Sequence, residues 1–123
     1  MTIDSAIQRV DSLKPNQFTA EQKILWLSQL DGLVYHTILT AHEGAPERFD
    51  GYAADEDTAT VLLIPEPFDD VYVYWLQSMI DRENGEINRY NNDAQMFQTA
   101  YDRFAAWYTR THATLPRKSW FRF

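Results

Sequence analysis

PFDDVYVYWLQSMIDRENGEINRYNNDAQMFQTAYDRFAAWYTRTH, residues 67–112, is the stretch whose reading decides the fold. After Gly85, the residues Ile87, Tyr90, Ala94, Phe97, Tyr101, Phe104 and Tyr108 recur at spacings of three and four. That period lays one apolar stripe along a helix, close to a coiled-coil seam. A helix over residues 86–111 would run to about 39 Å at 1.5 Å per residue. The preceding arm carries Val71, Trp75, Met79 and Ile80, again at helical spacing. Asn84-Gly85 separates the arms, because glycine tolerates the left-handed conformation that ends a helix. A single unbroken helix of more than about forty residues is unusual in a compact domain. Arms joined by so short a turn lie antiparallel with their stripes facing, so the stripe from Ile87 to Tyr108 is expected to be buried against Val71, Trp75, Met79 and the helix containing Leu27 and Leu30.

Upstream, Pro65-Glu66-Pro67 prevents helix before it and suits a helix start after it, with Asp69 and Asp70 falling in the first turn. Residues 44–67 are irregular, punctuated by Gly44, Pro46, Gly51, Pro65 and Pro67. Within them residues 58–64 are apolar and partly β-branched, which reads as a short extended piece. Its expected partner is either the loop around Phe49 and Tyr52 or the edge of another subunit. Thr2 caps a first helix whose apolar positions are Ile3, Ala6, Ile7, Val10 and Leu13, ended by Pro15-Asn16. Thr19 opens a second helix in a capping box with Gln22. Ile24, Leu27, Leu30, Val34 and Ile38 form its buried stripe, widened by Trp26, Leu33 and Tyr35. Gly32 inside that helix costs about 1 kcal/mol against alanine and permits close helix approach. The expected fold class is therefore mainly α. It is a small helical bundle with a long antiparallel hairpin, helices near residues 2–13, 20–42, 68–83 and 86–111, and at most a short β segment near 58–64. Residues 1–114 form one helical domain and 115–123 a basic-aromatic tail.

A chain of 123 residues suits one domain, and a hydrophobic share of 45% suffices for a real core. It contains no cysteine, so neither a disulfide framework nor a thiolate site is available. No hydrophobic signal core and no run of about 18 apolar residues occurs, pointing to a soluble intracellular or assembly-borne protein. The net charge of −7 is uneven: residues 43–70 hold nine acids against Arg48 alone. The last fourteen residues hold Arg110, Arg117, Lys118 and Arg122 and no acid. Such asymmetry favours directed contact between chains, although charge runs are commonly just solvated. An acidic chain without clustered bases is not expected to grip nucleic acid.

The residues offer little chemistry. His36 and His42 are six apart and cannot share a helix face as an i, i+4 metal pair would, and His112 is remote in sequence. Asp55-Glu56-Asp57 lacks the spaced ligands of a calcium loop, and Asp69-Asp70 reads more simply as a helix start. No phosphate loop, nucleophile elbow or dinucleotide fingerprint is present. The expectation is a non-enzyme with no catalytic residues, no cofactor and no metal. Asn91-Asn92-Asp93 is either an exposed face or a set of hydrogen bonds across the hairpin. Adjacent Trp107 and Tyr108 point to different sides, so one of them is a candidate for exposure. In the tail, Arg117, Lys118, Trp120, Phe121, Arg122 and Phe123 have the composition of an interface anchor. They are the candidate partner-binding residues.

Several of these residues together carry a resemblance. The run Leu63-Ile64-Pro65-Glu66-Pro67-Phe68-Asp69-Asp70, then Tyr74-Trp75-Leu76, Asn84-Gly85-Glu86, Tyr90-Asn91-Asn92 and Trp107-Tyr108-Thr109-Arg110-Thr111-His112, resembles small proteins of the head and neck gene cluster of tailed bacteriophages and prophages. With the upstream helix around Trp26-Leu27, the chain is similar to head-tail connector, or adaptor and head-completion, proteins over nearly its whole length. The resemblance implies a virion structural protein that assembles as a homo-oligomeric ring. Its partners would be the portal protein and tail-side neck proteins. It implies a place in the virion neck, reached from the bacterial host cytoplasm, with no membrane or sequence-specific nucleic-acid ligand. The alternative expectation is a non-enzymatic helical protein-protein interaction or regulatory protein.

Overall fold

The computed structural model describes residues 1–116; the candidate tail residues Arg117, Lys118, Trp120, Phe121, Arg122 and Phe123 lie outside the described part. The described chain is mainly helical: α1 (Ile3–Leu13), α2 (Ala20–Thr37), α3 (Asp70–Glu83) and α4 (Ile87–Thr111), with a 3-10 turn at Leu39–Ala41. Both N-terminal caps form. Thr2 and Ser5 bond reciprocally, Oγ1 of Thr2 accepting from Ser5 N–H at 3.1 Å and Oγ of Ser5 accepting from Thr2 N–H at 2.8 Å. Thr19 accepts from Gln22 N–H at 3.2 Å, which is half of the expected box.

α2 stops five residues short of the expected end. Thr40 donates its hydroxyl to the His36 carbonyl, and the His42 ring meets the Ile38 carbonyl at 2.7 Å. Side chains thus satisfy carbonyls that a longer helix would have used, and the chain tightens into the 3-10 turn.

The stretch 58–64 makes no strand among the described residues, and its partner is neither of those expected. Thr2 and Val61 form an isolated antiparallel bridge. Ile3 and Asp4 N–H donate to the carbonyls of Thr60 and Thr58, at 3.0 and 2.9 Å, and Leu62 N–H donates to Met1 at 2.9 Å. The first turn of a helix has N–H groups with no internal partner, and this segment supplies their acceptors. Gly51 has φ +84°, and a Cβ there would stand 2.9 Å from Ser28 Oγ, so the loop backbone lies directly on α2.

α3 and α4 form the expected hairpin. Gly85 takes φ +71°, Glu86 N–H reaches back to Asp81 and Gly85 N–H to Arg82, the paired bonds that close a helix with a left-handed residue. The packing around the hairpin differs from expectation. α4 rests on α3, and α1 and α2 pack on α3 as well; among the described residues the backbones of α4 and α2 do not approach, and side chains such as Tyr101 and Thr37 span the gap. α3 is the central element, packed by the other three helices, with Val71, Tyr72, Val73, Leu76, Met79 and Ile80 buried and Tyr74, Trp75 and Gln77 half-buried. A helix apolar all round is one surrounded by others. Leu13 and Leu33, read as apolar-face positions, are 53% and 52% exposed. Tyr108 is buried and Trp107 half-buried, so Trp107 is the more open of that pair.

Candidate assembly surface

The stripe on α4 is continuous in sequence but not in burial. α4 has 25 residues and α3 only 14, so α4 is longer by about 16 Å at 1.5 Å per residue. The overhang lies at the C-terminal end of α4, and other parts of the chain cover it. The Phe68 ring stands 5.0 Å from Trp107 and 6.1 Å from Phe104, and His42 meets Tyr108 edge-on at 5.2 Å. His112 stacks on the same Tyr108 at 3.8 Å. An antiparallel bridge between His42 and Thr114, and a bond from Leu115 N–H to the Ala41 carbonyl, hold the chain here one residue past the expected domain boundary.

The other end has no such cover. Ile87 is 70% exposed, and Tyr90 and Ala94 are only half-buried. This corrects the expectation that the stripe is buried throughout: the hairpin turn carries the first turn of α4 beyond its neighbours. Between the two ends lies a half-buried aromatic run. Trp75 is 5.2 Å from Phe97, and Phe97 is 5.6 Å from Tyr101. Trp75 Nε1–H donates to the Trp26 carbonyl at 2.7 Å, and the hydroxyls of Tyr101 and Thr37 meet at 3.1 Å. Side chains of α3 and α4 are thereby tied to the edge of α2, where Leu33 stands one turn before Thr37.

A buried carboxylate positions the cover at the C-terminal end. Asp31, on α2, is fully buried and accepts from Tyr72 Oη–H at 2.6 Å, Tyr52 Oη–H at 2.5 Å and Leu63 N–H at 3.1 Å. Tyr72 Oη also accepts from Ile64 N–H at 2.7 Å. One carboxylate therefore holds Tyr52 and residues 63–64, just ahead of Phe68. Burial pushes the Asp31 carboxyl up more than the three bonds draw it down. Burial and the charge of Asp31 hold both phenols well above their ordinary range. Asp31 was not among the residues singled out by sequence. The signal was present: it falls at i+4 from Leu27 and i−3 from Val34, a charge inside an apolar stripe. Buried Lys23 gives the same signal and is held by Asp11 at 2.8 Å and the Phe18 carbonyl at 2.9 Å.

The remaining candidates are dispersed. His36 is exposed, while His42 and His112 both face Tyr108. No group of three or more metal-ligating side chains assembles among the described residues. Asp69 and Asp70 stand at the start of α3 and line a groove of about 370 Å³ with Glu66, Arg9, Leu13 and Tyr74. A smaller cavity of about 240 Å³ lies under the end of α4, between Leu39, Leu63, Pro65, Phe104 and Trp107. No described helix is long and apolar enough to cross a membrane. The chain matches no protein-family model, no curated protein and no solved structure.

Proposed function

We propose that this protein is a phage virion structural protein, a head-tail connector subunit that assembles as a ring between portal and tail. The motif run over residues 63–112 supports the family. The observation that carries assembly is the apolar seam of α4, which continues past its cover to Ile87, with the half-buried Trp75, Phe97 and Tyr101 alongside. A closed ring needs one face of a subunit to meet a different face of the next. The open seam of α4 is one such face, and the basic-aromatic composition of the tail supplies chemistry unlike it. Apolar residues aligned on a helix and left without a covering layer are a common mark of a protein-protein contact.

The test is reconstitution. Purified protein is mixed with portal assemblies and examined by sedimentation and electron microscopy. The connector reading expects a ring seated on the portal, abolished by Ile87→Lys with Tyr90→Lys, while the isolated variant stays folded. A chain that ignores the portal, remains monomeric and binds a single host protein would instead be the regulatory helical module.

A further inference from the structure

At the turn end of the hairpin, beside the open end of α4, one ammonium faces more carboxyls than it can neutralise. Lys14, just past the end of α1, bonds to Asp81 on α3 and to Asp93 on α4, the latter at 3.0 Å. Asp81 is fully buried and Asp93 largely so. Glu86, in the turn, also reaches Asp81, although it is exposed and pairs with Arg89 at 3.2 Å. Lys14, Asp81, Asp93 and Glu86 are the charged groups that meet here from α1, α3, α4 and the turn. With both aspartates ionised, Lys14 leaves one negative charge uncompensated in a site largely shut off from water, a costly arrangement. The geometry contains a second sign of the same problem. Among the described residues Asp81 Oδ1 is buried and accepts no hydrogen bond, while the Asp93 carboxylate shares the one Lys14 ammonium with Asp81. An ionised carboxylate cannot donate; a protonated one can.

We propose that Asp93 takes a proton from solvent and shares it with Asp81 in a hydrogen bond, forming with Lys14 an acid-tightened latch that clamps the end of α1 to the turn end of the α3–α4 hairpin. The protonated cluster is neutral: Lys14 keeps its charge, Asp81 keeps its own, and the proton on Asp93 fills the orphaned acceptor. The titration directions agree. Burial and the neighbouring Asp81 hold the Asp93 carboxyl above the ordinary 3.8. Burial alone would raise Asp81, but its bonds to Asp93 and Lys14 outweigh that and hold it below 3.8. The Lys14 ammonium, lowered by burial, is raised further by its two carboxylate bonds and stays charged.

The sign follows from linkage. A carboxyl raised in the fold binds a proton that the unfolded chain has already released, so its contribution is complete below 3.8 and is lost as pH rises through the raised value. Asp81 works oppositely: its contribution is present above 3.8 and is lost as pH falls through its lowered value. The latch therefore contributes most near 3.8 and loosens as pH rises through the raised Asp93 value.

The test compares thermal unfolding of the full chain and its variants at pH 3.8, the ordinary aspartate value, and at about pH 8. In Asp93→Asn the amide reproduces the donor of the protonated acid at every pH. Its midpoint at the higher pH is expected to exceed that of the unaltered protein by about 3–5 °C, with the dependence over this interval flattened. Glu86→Gln is expected to leave the dependence in place. Carboxyl carbon shifts in the unaltered protein supply a readout that needs no variant to fold: Asp93 titrates above the ordinary aspartate range. Amide exchange at Val10 and Lys14 slows as pH falls, after correction for intrinsic chemistry. The proposal is overturned if Asp93 titrates at or below the ordinary range. It is equally overturned if Asp93→Asn destabilises the protein at both pH values, which would make Asp93 a plain ion-pair partner, or if Glu86→Gln removes the dependence and Asp93→Asn does not. None of these readings depends on ring formation, so failure of the connector assignment leaves the latch standing.

Discussion

The two ends of α4 share one stripe and one period, yet Phe104 is 1% exposed and Ile87 is 70% exposed. Nothing in the local residue pattern distinguishes them. The difference is the layer outside α3. At the C-terminal end, Phe68, His42 and the residues held by Asp31 close over the stripe. At the hairpin end, among the described residues, α4 rests on α3 and is otherwise met by Lys14 from the end of α1, which leaves Ile87 open. A helical stripe thus states which face will be apolar; whether that face is interior or interface depends on what reaches it.

The comparison breaks most readily at its buried end. Phe104→Ala is expected to destabilise by about 3–5 kcal/mol in urea denaturation, as for a large aromatic removed from a closed core. A loss under about 1 kcal/mol would mean that this end too lies open. Asp31→Ala should cost about 3 kcal/mol, because the Tyr52 and Tyr72 hydroxyls and Leu63 N–H lose their acceptor together. Hydrogen exchange at Leu63 and Ile64 should quicken more than at Leu76; equal changes would show that the carboxylate does not specifically hold the cover.

The same network sets an alkaline limit. Both phenols are raised above 10.0 in the fold, so their contribution is complete below 10.0 and is lost as pH rises beyond it, where the unfolded chain releases those protons first. Tyr52→Phe should flatten the decline above about pH 10 in a stability titration.

At the open end effects shrink. Phe97→Ala, which a fully buried ring would make as damaging as Phe104→Ala, should cost about 1–2 kcal/mol for a ring only half removed from water. Equal losses at the two positions would erase the contrast along α4. Ile87→Lys should change stability of the isolated chain by no more than about 0.5 kcal/mol, as at an exposed site. A larger loss in dilute protein, where no second copy is bound, would show that Ile87 is already covered.

The sequence by itself determined the helices, because each rests on local forces. Thr2 and Thr19 cap, Pro15 and Pro67 interrupt, Gly85 takes the left-handed turn, and three-four spacing marks the faces. It also supplied the tail residues 117–123 as a candidate contact, beyond the described structure. What only the tertiary structure decided is which faces meet. Within the stretch 67–112 that decides the fold, α3 is the arm on which α1, α2 and α4 all pack. The extended piece at 58–64 found its partner in the first residues of the chain, whose helix-start N–H groups needed acceptors. Asp31, Asp81 and Lys23 look like ordinary surface charges until their partners are known. Those partners lie up to 67 residues away, as Lys14 does from Asp81, and no periodicity reports a contact between segments so far apart. Local propensity is written residue by residue; the burial of a charge is settled only when distant groups arrive to satisfy it.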